Sequence, residues 1–188
     1  MLTQAVLRSK VVTIITILGV IGITPTAAMA ADNQATGDVA GVGGDLTDSN
    51  TFTLDAATLA LVKAAFLTDG TALTSGATLP TGTQVQFLVY VDNTTAVGVD
   101  NINIEDILDA GFLYQAGTIK VDNSQATGAT EAAIYAAVNA TGALTDAVDG
   151  DVASITGATI SAGLSAGNAQ LDIAASAVYA LLFTVEMQ

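Results

Sequence analysis

Residues 83–121, TQVQFLVYVDNTTAVGVDNINIEDILDAGFLYQAGTIKV, contain the pattern that decides the fold. From Val85 to Val91 every second residue is apolar, which is the two-residue period of a β-strand with one face on a core. The polar cluster at residues 92–95 is typical of a turn. Further short strands are predicted at residues 99–107, 112–114 and 118–121. Four short strands separated by turns predict half of an antiparallel β-sandwich.

The same stretch resembles the conserved repeat domain of bacterial and archaeal surface proteins. The likeness lies in a turn after the first strand, an acidic corner and a tyrosine-to-glycine step, at Asn93, Asp106, Leu108, Gly111, Tyr114 and Gly117. Asp109 stands where the family has a corner proline, so this turn is less rigid than the family pattern. The resemblance covers residues 58–121 and, more loosely, 152–188. It implies an all-β, immunoglobulin-like antiparallel β-sandwich, of a kind that serves as spacer, adhesive module or shaft subunit.

Residues 1–30 have the pattern of a secretory signal peptide. Arg8 and Lys10 form a basic start, residues 11–23 are almost entirely apolar, and Ala28-Met29-Ala30 is a small-x-small cleavage site. An uncleaved anchor helix is the alternative, but this apolar run is short for a hydrocarbon core of ~30 Å. We therefore predict cleavage after residue 30. The product is expected to be secreted, extracellular or on the cell surface, with no membrane span after cleavage.

The predicted mature chain is strongly acidic. All 18 aspartate and glutamate residues lie after residue 30, and of the 4 basic residues only Lys63 and Lys120 remain, which gives a net charge of −16. Such a surface repels nucleic acid and anionic lipid because it has no cationic patch to displace phosphate counterions. Nucleic acid is therefore excluded as a partner. Two interpretations of the charge remain, solubility through self-repulsion and binding of divalent cations.

The chain has no cysteine and no histidine. The commonest general base, the Ser-His-Asp arrangement and most zinc sites are therefore excluded. Carboxylate pairs remain, such as Asp106 with Asp109 or Asp149 with Asp151. A glycosidase also needs a sugar cleft around its carboxylates, and the chain has no tryptophan to supply an aromatic platform. We therefore predict a non-enzymatic protein that requires no cofactor.

Residues 31–50, ADNQATGDVAGVGGDLTDSN, are rich in glycine and aspartate and poor in large apolar groups. Such a segment cannot offset its ordering entropy, so we predict a flexible arm before a β-sandwich domain at residues 51–188. The alternative is that residues 36–54 form a strand that pairs with a neighbouring molecule. The predicted acceptor groove is lined by Phe87, Val89, Phe183 and Val185.

Two segments are open to both helix and strand. Residues 55–66 are rich in alanine and leucine, which favours a helix, but their alternation and the family resemblance favour a strand. Residues 130–138 hold strong helix formers and apolar residues at helical spacing, so a short helix is predicted there, with a strand as the alternative. The remaining strands are predicted at residues 153–160, 170–174 and 178–187.

Asp146, Asp149 and Asp151 lie on a predicted loop around Gly150. Carboxylates on a loop can converge, and a site made only of oxygen ligands suits Ca²⁺. These three residues are therefore a candidate calcium site, with an ordinary polar turn as the alternative. The acidic run at residues 100–106 lies on a predicted strand, where alternate side chains diverge, and is better explained as a solvated face.

Lys63 is the candidate for covalent chemistry. Surface sandwiches with isopeptide bonds join a strand lysine to an Asn or Asp beside a buried acid, and Glu186 or Asp106 would be that acid here. The alternative is a lysine that extends from a sheet edge into water. Asn93-Thr94-Thr95 and Asn139-Ala140-Thr141 are N-glycosylation sequons on predicted loops.

Together these patterns predict an exported, structural protein of the cell surface or extracellular matrix. A subunit of a fibre joined by strand donation accounts for the single domain and its preceding arm. The alternative is a surface binding or adhesion module that recognises carbohydrate, protein or calcium through its loops.

Overall fold

The computed structural model describes residues 15–16, 29–39, 46–56 and 59–188, and the side chains from residue 59 onward. It contains one short helix, α1 (Glu131–Asn139), and a 3₁₀ turn (Leu164–Ala166) within these residues. The strands are β1 (Ile15–Thr16), β2 (Met29–Val39), β3 (Leu46–Ala56), β4 (Ala60–Leu67), β5 (Ala72–Leu73), β6 (Gln84–Asn93), β7 (Val99–Ile102), β8 (Ile104–Ile107), β9 (Phe112–Tyr114), β10 (Lys120–Ala126), β11 (Ala153–Thr156), β12 (Thr159–Ala162), β13 (Leu171–Ile173) and β14 (Ala177–Met187). The predicted all-β class is confirmed.

β6 and β14 form the centre of a six-stranded antiparallel sheet, the main sheet. They pair without a break from Gln84 opposite Glu186 to Asn93 opposite Ala177. The strand order is β10-β14-β6-β4-β5, and β9 pairs with the end of β14. The pairing brings apolar residues of the two strands opposite one another, such as Phe87 and Phe183, which stabilises both strands.

Helix α1 covers one face of the main sheet. Its buried residues Ile134, Tyr135 and Val138 pack against apolar sheet residues that include Phe66, Leu88 and Leu182. The ring of Tyr135 stacks on that of Phe66, with 4.1 Å between the ring centroids. The helix predicted at residues 130–138 is therefore confirmed. Thr130 caps it, because its side-chain oxygen accepts a hydrogen bond from the backbone N–H of Ala133 at 3.3 Å.

Two smaller sheets, β1-β8-β12-β11 and β13-β7, complete the domain. Ile104 of β8 and Ile160 of β12 are buried. Lys63 lies opposite Val89 in the main sheet, on the face that α1 does not cover, and its side chain reaches Asp106 of β8. The sheet that contains β8 is therefore joined to that second face. Antiparallel sheets in layers fit a β-sandwich, and an immunoglobulin-like arrangement stays a prediction.

Residues 99–107, predicted as one strand, are two strands in different sheets. β7 pairs with β13, whereas β8 pairs with β12. Asn101 has a φ of 59°, a left-handed conformation that asparagine tolerates better than most residues and that redirects the chain. The single strand predicted at residues 153–160 is likewise wrong. The chain reverses at Gly157, whose φ is 63°, and forms the β11–β12 hairpin.

Residues 20–59 belong to a unit separate from the one that contains residues 60–188. Within it, β2 and β3 pair with each other, from Met29 opposite Ala56 to Val39 opposite Leu46. Where the sequence predicts a flexible arm at residues 31–50, the structure thus has two paired strands, and residues 40–45 lie outside the described residues.

Most of the predicted signal peptide, residues 1–14 and 17–28, lies outside the described residues, so its cleavage stays a prediction. Within it, β1 pairs in parallel with β8, with Ile15 opposite Ile104. Among the described residues no helix has the length and apolar character needed to cross a membrane.

Candidate functional site

The outer edge of β4 is largely unpaired. On one side β4 pairs with β6 along its whole length, from Ala60 opposite Asp92 to Leu67 opposite Val85. On the other side, only Ala65 and Phe66 pair with the short strand β5. Among the described residues, nothing pairs with residues 60–64 on that side. An unpaired strand edge presents free backbone donors and acceptors to a further strand.

The direction of the free backbone groups follows from one hydrogen bond. The N–H of Leu67 donates to the carbonyl of Thr71 at 2.8 Å, on the side of β4 away from β6. Because successive residues of an antiparallel strand direct their N–H and C=O groups to opposite sides, Leu61 and Lys63 direct theirs to the same side as Leu67. These two residues therefore offer the open donors and acceptors of the edge.

The acceptor groove predicted from Phe87, Val89, Phe183 and Val185 is wrong. Val89, Phe183 and Val185 have no exposed surface, because β6 and β14 pair along this segment and the second face of the sheet is covered. Phe87 is half-buried and contacts Phe112 edge to face at 5.3 Å between centroids. It lines an apolar groove of about 210 Å³, together with Ala65, Leu73, Leu79, Val85, Phe112 and Met187.

Lys63 and Asp106 form an ion pair between two sheets. The Lys63 Nζ lies 2.6 Å from Oδ2 and 2.8 Å from Oδ1 of Asp106. The Asp106 side chain is 7% exposed and that of Lys63 is 33% exposed. The ammonium group also lies 4.5 Å from the centroid of the Phe87 ring. Of the two acids considered for Lys63, the structure therefore places Asp106 in contact, whereas Glu186 lies opposite Gln84 at the end of the central strand pair.

Asp146, the first residue of the candidate calcium site, is engaged by neighbouring protein groups. The hydroxyl of Tyr114 donates to Asp146 Oδ1 at 2.6 Å, and the N–H of Gly117 donates to Oδ2 at 2.9 Å. Burial, reinforced by the hydrogen bond to Asp146, raises the pKa of Tyr114 to about 12. Asp146 therefore connects the loop to the turn after β9.

Asp149 and Asp151 interact with Thr145 at the base of the same loop. The Thr145 hydroxyl donates to Asp149 Oδ2 at 2.5 Å, and the Thr145 N–H donates to Asp151 Oδ2 at 3.0 Å. The hydrogen bond from Thr145 lowers the pKa of Asp149. Among the described residues no three acidic side chains are grouped closely enough to hold a metal ion. The calcium site thus stays a prediction from the sequence.

The two carboxylate pairs considered for catalysis have structural partners in the fold. Asp106 binds Lys63 between the sheets, whereas Asp109 accepts a hydrogen bond from the N–H of Gly111 at 2.9 Å in the turn before β9. Asp149 accepts a hydrogen bond from the N–H of Asp151 at 2.8 Å. Each of these contacts holds an acidic side chain or its loop in place within the fold.

Asn93, which the sequence marks as a turn residue of the family resemblance and as the start of a sequon, also has a structural role. It has no exposed surface, and its Nδ2 donates to the carbonyls of Val97 at 2.9 Å and Ala174 at 2.8 Å. Its Oδ1 accepts from the hydroxyl of Thr95 at 2.7 Å. Asn93 therefore holds the loop after β6 against the segment before β14. The asparagine of the family turn is the signal that points to this role.

A cavity beside Tyr179 is the second feature that the sequence does not reveal. It has a volume of about 220 Å³ and is lined by Val121, Asp122, Asn123, Val152, Gln170, Leu171, Asp172 and Tyr179. Tyr179 is 3% exposed, and no described group hydrogen-bonds its hydroxyl. Burial raises the pKa of that hydroxyl. The lining residues are far apart in the sequence, so no local motif marks the cavity.

No protein-family model matches the chain, and no curated protein or solved structure matches it either.

Proposed function

We propose that this chain is an exported, non-enzymatic structural protein whose copies associate by β-strand addition on the cell surface or in the extracellular matrix. The open outer edge of β4 is the observation that carries the proposal. An added strand gains main-chain hydrogen bonds from the groups that Leu61 and Lys63 direct outward. A contact between an edge of one copy and a different segment of the next copy does not close on itself, so it produces a fibre.

The donor is the β2–β3 hairpin of a neighbouring copy, which contains the donor segment 36–54 predicted from the sequence. A two-stranded hairpin alone is at best marginally stable in water. β3 pairs with β2 on one side, and no other strand of the described residues pairs with it, so its other side can join a second sheet. Phe52 and Leu54 alternate with threonines in β3, which is a pattern suited to a strand in a sheet.

The acidic surface opposes this association. Copies with a net charge of −16 repel one another, and dissolved salt weakens that repulsion within a Debye length of about 8 Å at physiological ionic strength. Assembly is therefore expected to increase between low and physiological salt. This dependence distinguishes edge pairing of acidic subunits from association through opposite charges, which salt weakens.

The proposal is tested by two substitutions at one position. Leu61→Pro removes an outward N–H of β4 and leaves the hydrogen bonds to β6, whereas Leu61→Ala removes the side chain and keeps the N–H. Negative-stain microscopy of the mature protein is expected to show fibres for the wild type and Leu61→Ala, and folded monomers for Leu61→Pro. Fibres of Leu61→Pro as abundant as those of the wild type would remove β4 as the acceptor.

The donor assignment has a separate test. Deletion of residues 31–54 is expected to leave a folded domain that forms no fibres, because residues 20–59 belong to a different unit from residues 60–188. Circular dichroism checks the fold of the shortened chain. Fibres formed by the shortened chain would show that the hairpin is not the donor.

A surface binding module is the second candidate, and the cavity beside Tyr179 favours it. Its mixed polar and apolar lining and its volume of about 220 Å³ suit a small neutral ligand such as a sugar unit. Titration of the mature protein with monosaccharides, followed by calorimetry, tests this function. Binding that Tyr179→Phe weakens, in a protein that stays monomeric, favours the binding module over the fibre subunit.

A further inference from the structure

The two N-glycosylation sequons lie in different environments. Asn93-Thr94-Thr95 follows the end of β6, and Asn139-Ala140-Thr141 begins at the last residue of α1. An acceptor asparagine must keep a glycan on its Nδ2 in the folded protein, so this nitrogen needs free space and a free hydrogen position. The two sequons differ in whether the asparagine Nδ2 meets these requirements.

The fold excludes a glycan on Asn93. Both hydrogen positions of its Nδ2 are used by the carbonyls of Val97 and Ala174, at 2.9 and 2.8 Å. The side chain has no exposed surface, so a sugar on Nδ2 would displace the backbone of two loops. Loss of the two hydrogen bonds would also remove contacts that hold the two loops together, which costs roughly 0.5–1.5 kcal/mol for each bond.

Asn139 has the opposite arrangement. Lys120 Nζ donates to its backbone carbonyl at 2.6 Å and to its Oδ1 at 3.2 Å, which fixes the oxygen side of the amide. No described group accepts a hydrogen bond from its Nδ2, and the residue is half-buried. The Asn139 Nδ2 therefore lacks the contacts that hold the Nδ2 of Asn93.

The rest of the sequon is compatible with the fold. Thr141 is half-buried, and its hydroxyl donates to the carbonyl of Val138 at 2.8 Å at the end of the helix. Helix ends fray readily, so this turn can open to an enzyme at little cost. The buried face of α1, which includes Ile134 and Val138, does not need to move.

We infer that Asn139 is an N-glycan acceptor of this chain and that Asn93 is not. The co-substrate is a sugar activated at its anomeric carbon by a phosphate ester, supplied by the exporting cell. The Asn139 Nδ2 forms a bond to the anomeric carbon, the bond from that carbon to the phosphate oxygen breaks, and the phosphate leaves with the electron pair while Nδ2 loses a proton. The inference rests on export, and not on fibre formation.

The test uses the full chain, secreted from yeast and analysed by intact mass and glycopeptide mass spectrometry. The wild type is expected to carry one glycan, on Asn139. Asn139→Gln and Thr141→Ala are expected to carry none, and Thr141→Ser, which keeps the sequon, is expected to keep the glycan. A glycan on Asn93 of the folded, secreted protein, or an unmodified Asn139, would overturn the inference.

A second experiment keeps the inference testable if yeast does not secrete the chain. The purified protein, native or unfolded in urea and diluted, is incubated with a soluble N-glycosyltransferase and UDP-glucose. Glucose is expected on Asn139 in both samples and on Asn93 only in the unfolded one. Equal modification of Asn93 in the two samples would show that the fold does not protect it.

Discussion

On the face of the main sheet that α1 covers, Phe66 of β4 stacks on Tyr135 within a cluster of buried apolar and tyrosine side chains. On the opposite face, Lys63 of the same strand reaches a buried carboxylate in another sheet. The first contact depends on shape and apolar area, and the second depends on two charges that must stay paired. β4 therefore stabilises two layers by different interactions. Substitutions on its two faces should lower the free energy of unfolding for different physical reasons.

The largest effect is expected on the helix-covered face. Phe66→Ala removes a fully buried ring and leaves a cavity against Tyr135, which should lower the free energy of unfolding by about 3–5 kcal/mol. Chemical denaturation of purified protein measures this loss. A loss below about 1 kcal/mol would mean that α1 is not packed on the sheet as described.

Removal of Lys63 and removal of Asp106 should lower the free energy of unfolding by different amounts. Lys63→Met leaves the buried Asp106 carboxylate without its partner, and such a change costs roughly 3 kcal/mol, the lower end of the range for broken buried pairs. Asp106→Leu leaves Lys63, which is 33% exposed and retains access to water, so its cost is smaller. The double variant Lys63→Met/Asp106→Leu should recover most of the stability that Lys63→Met loses.

Denaturation of the four proteins in a double-mutant cycle checks this order. Additive losses would contradict a direct interaction between Lys63 and Asp106.

The intact mass of the wild type distinguishes the ion pair from a covalent bond. Condensation of an amine with a carboxylic acid releases one water, so a covalent bond would lower the mass by that of one water molecule. A mass that matches the processed sequence supports the ion pair.

Alkaline pH should weaken the contact between β9 and the acidic loop. The pKa of Tyr114 is raised to about 12, mainly by burial, so the neutral phenol is favoured in the folded state. The stability from this group is fully present below a pH of about 10, the unfolded pKa of tyrosine, and is lost as the pH rises through about 12. Tyr114→Phe should have a shallower loss of unfolding free energy over this interval. An unchanged slope would contradict the assigned environment.

Calcium should have the smallest effect on stability. The sequence predicts Ca²⁺ binding by Asp146, Asp149 and Asp151, so millimolar calcium should raise the Tm of the wild type and Asp149→Asn should remove the increase. The structure does not group these carboxylates with Asp146, which argues for a weak site. Calorimetry with calcium and with a chelator measures the difference in Tm. Equal Tm values would show that these residues do not bind calcium.

The central strands and the helix could be predicted from the sequence because their signals are local. Alternation predicts β6 and β14, and helix formers after Thr130 predict α1. The break at Asn101 and the reversal at Gly157 escape prediction, because each depends on a backbone conformation that a single residue adopts within a well-alternating segment.

The sites were less predictable because they depend on register and on distant contacts. Alternation correctly places Val89 and Phe183 on apolar faces, but it cannot show that a second layer covers them. The contact between Lys63 and Asp106 joins residues that are 43 positions apart. The cavity beside Tyr179 is lined by residues from four separate segments of the chain. No local sequence pattern predicts contacts between residues so far apart in the chain.

Hydrogen exchange at the outer edge of β4 tests the central claim most directly. In the monomer that lacks residues 31–54, the amides of Leu61 and Lys63 should exchange rapidly, whereas those of Val62 and Ala64, directed toward β6, should be protected. In assemblies of the full mature chain, all four amides should be protected. Rapid exchange at Leu61 and Lys63 in the assembled protein would contradict strand addition at this edge.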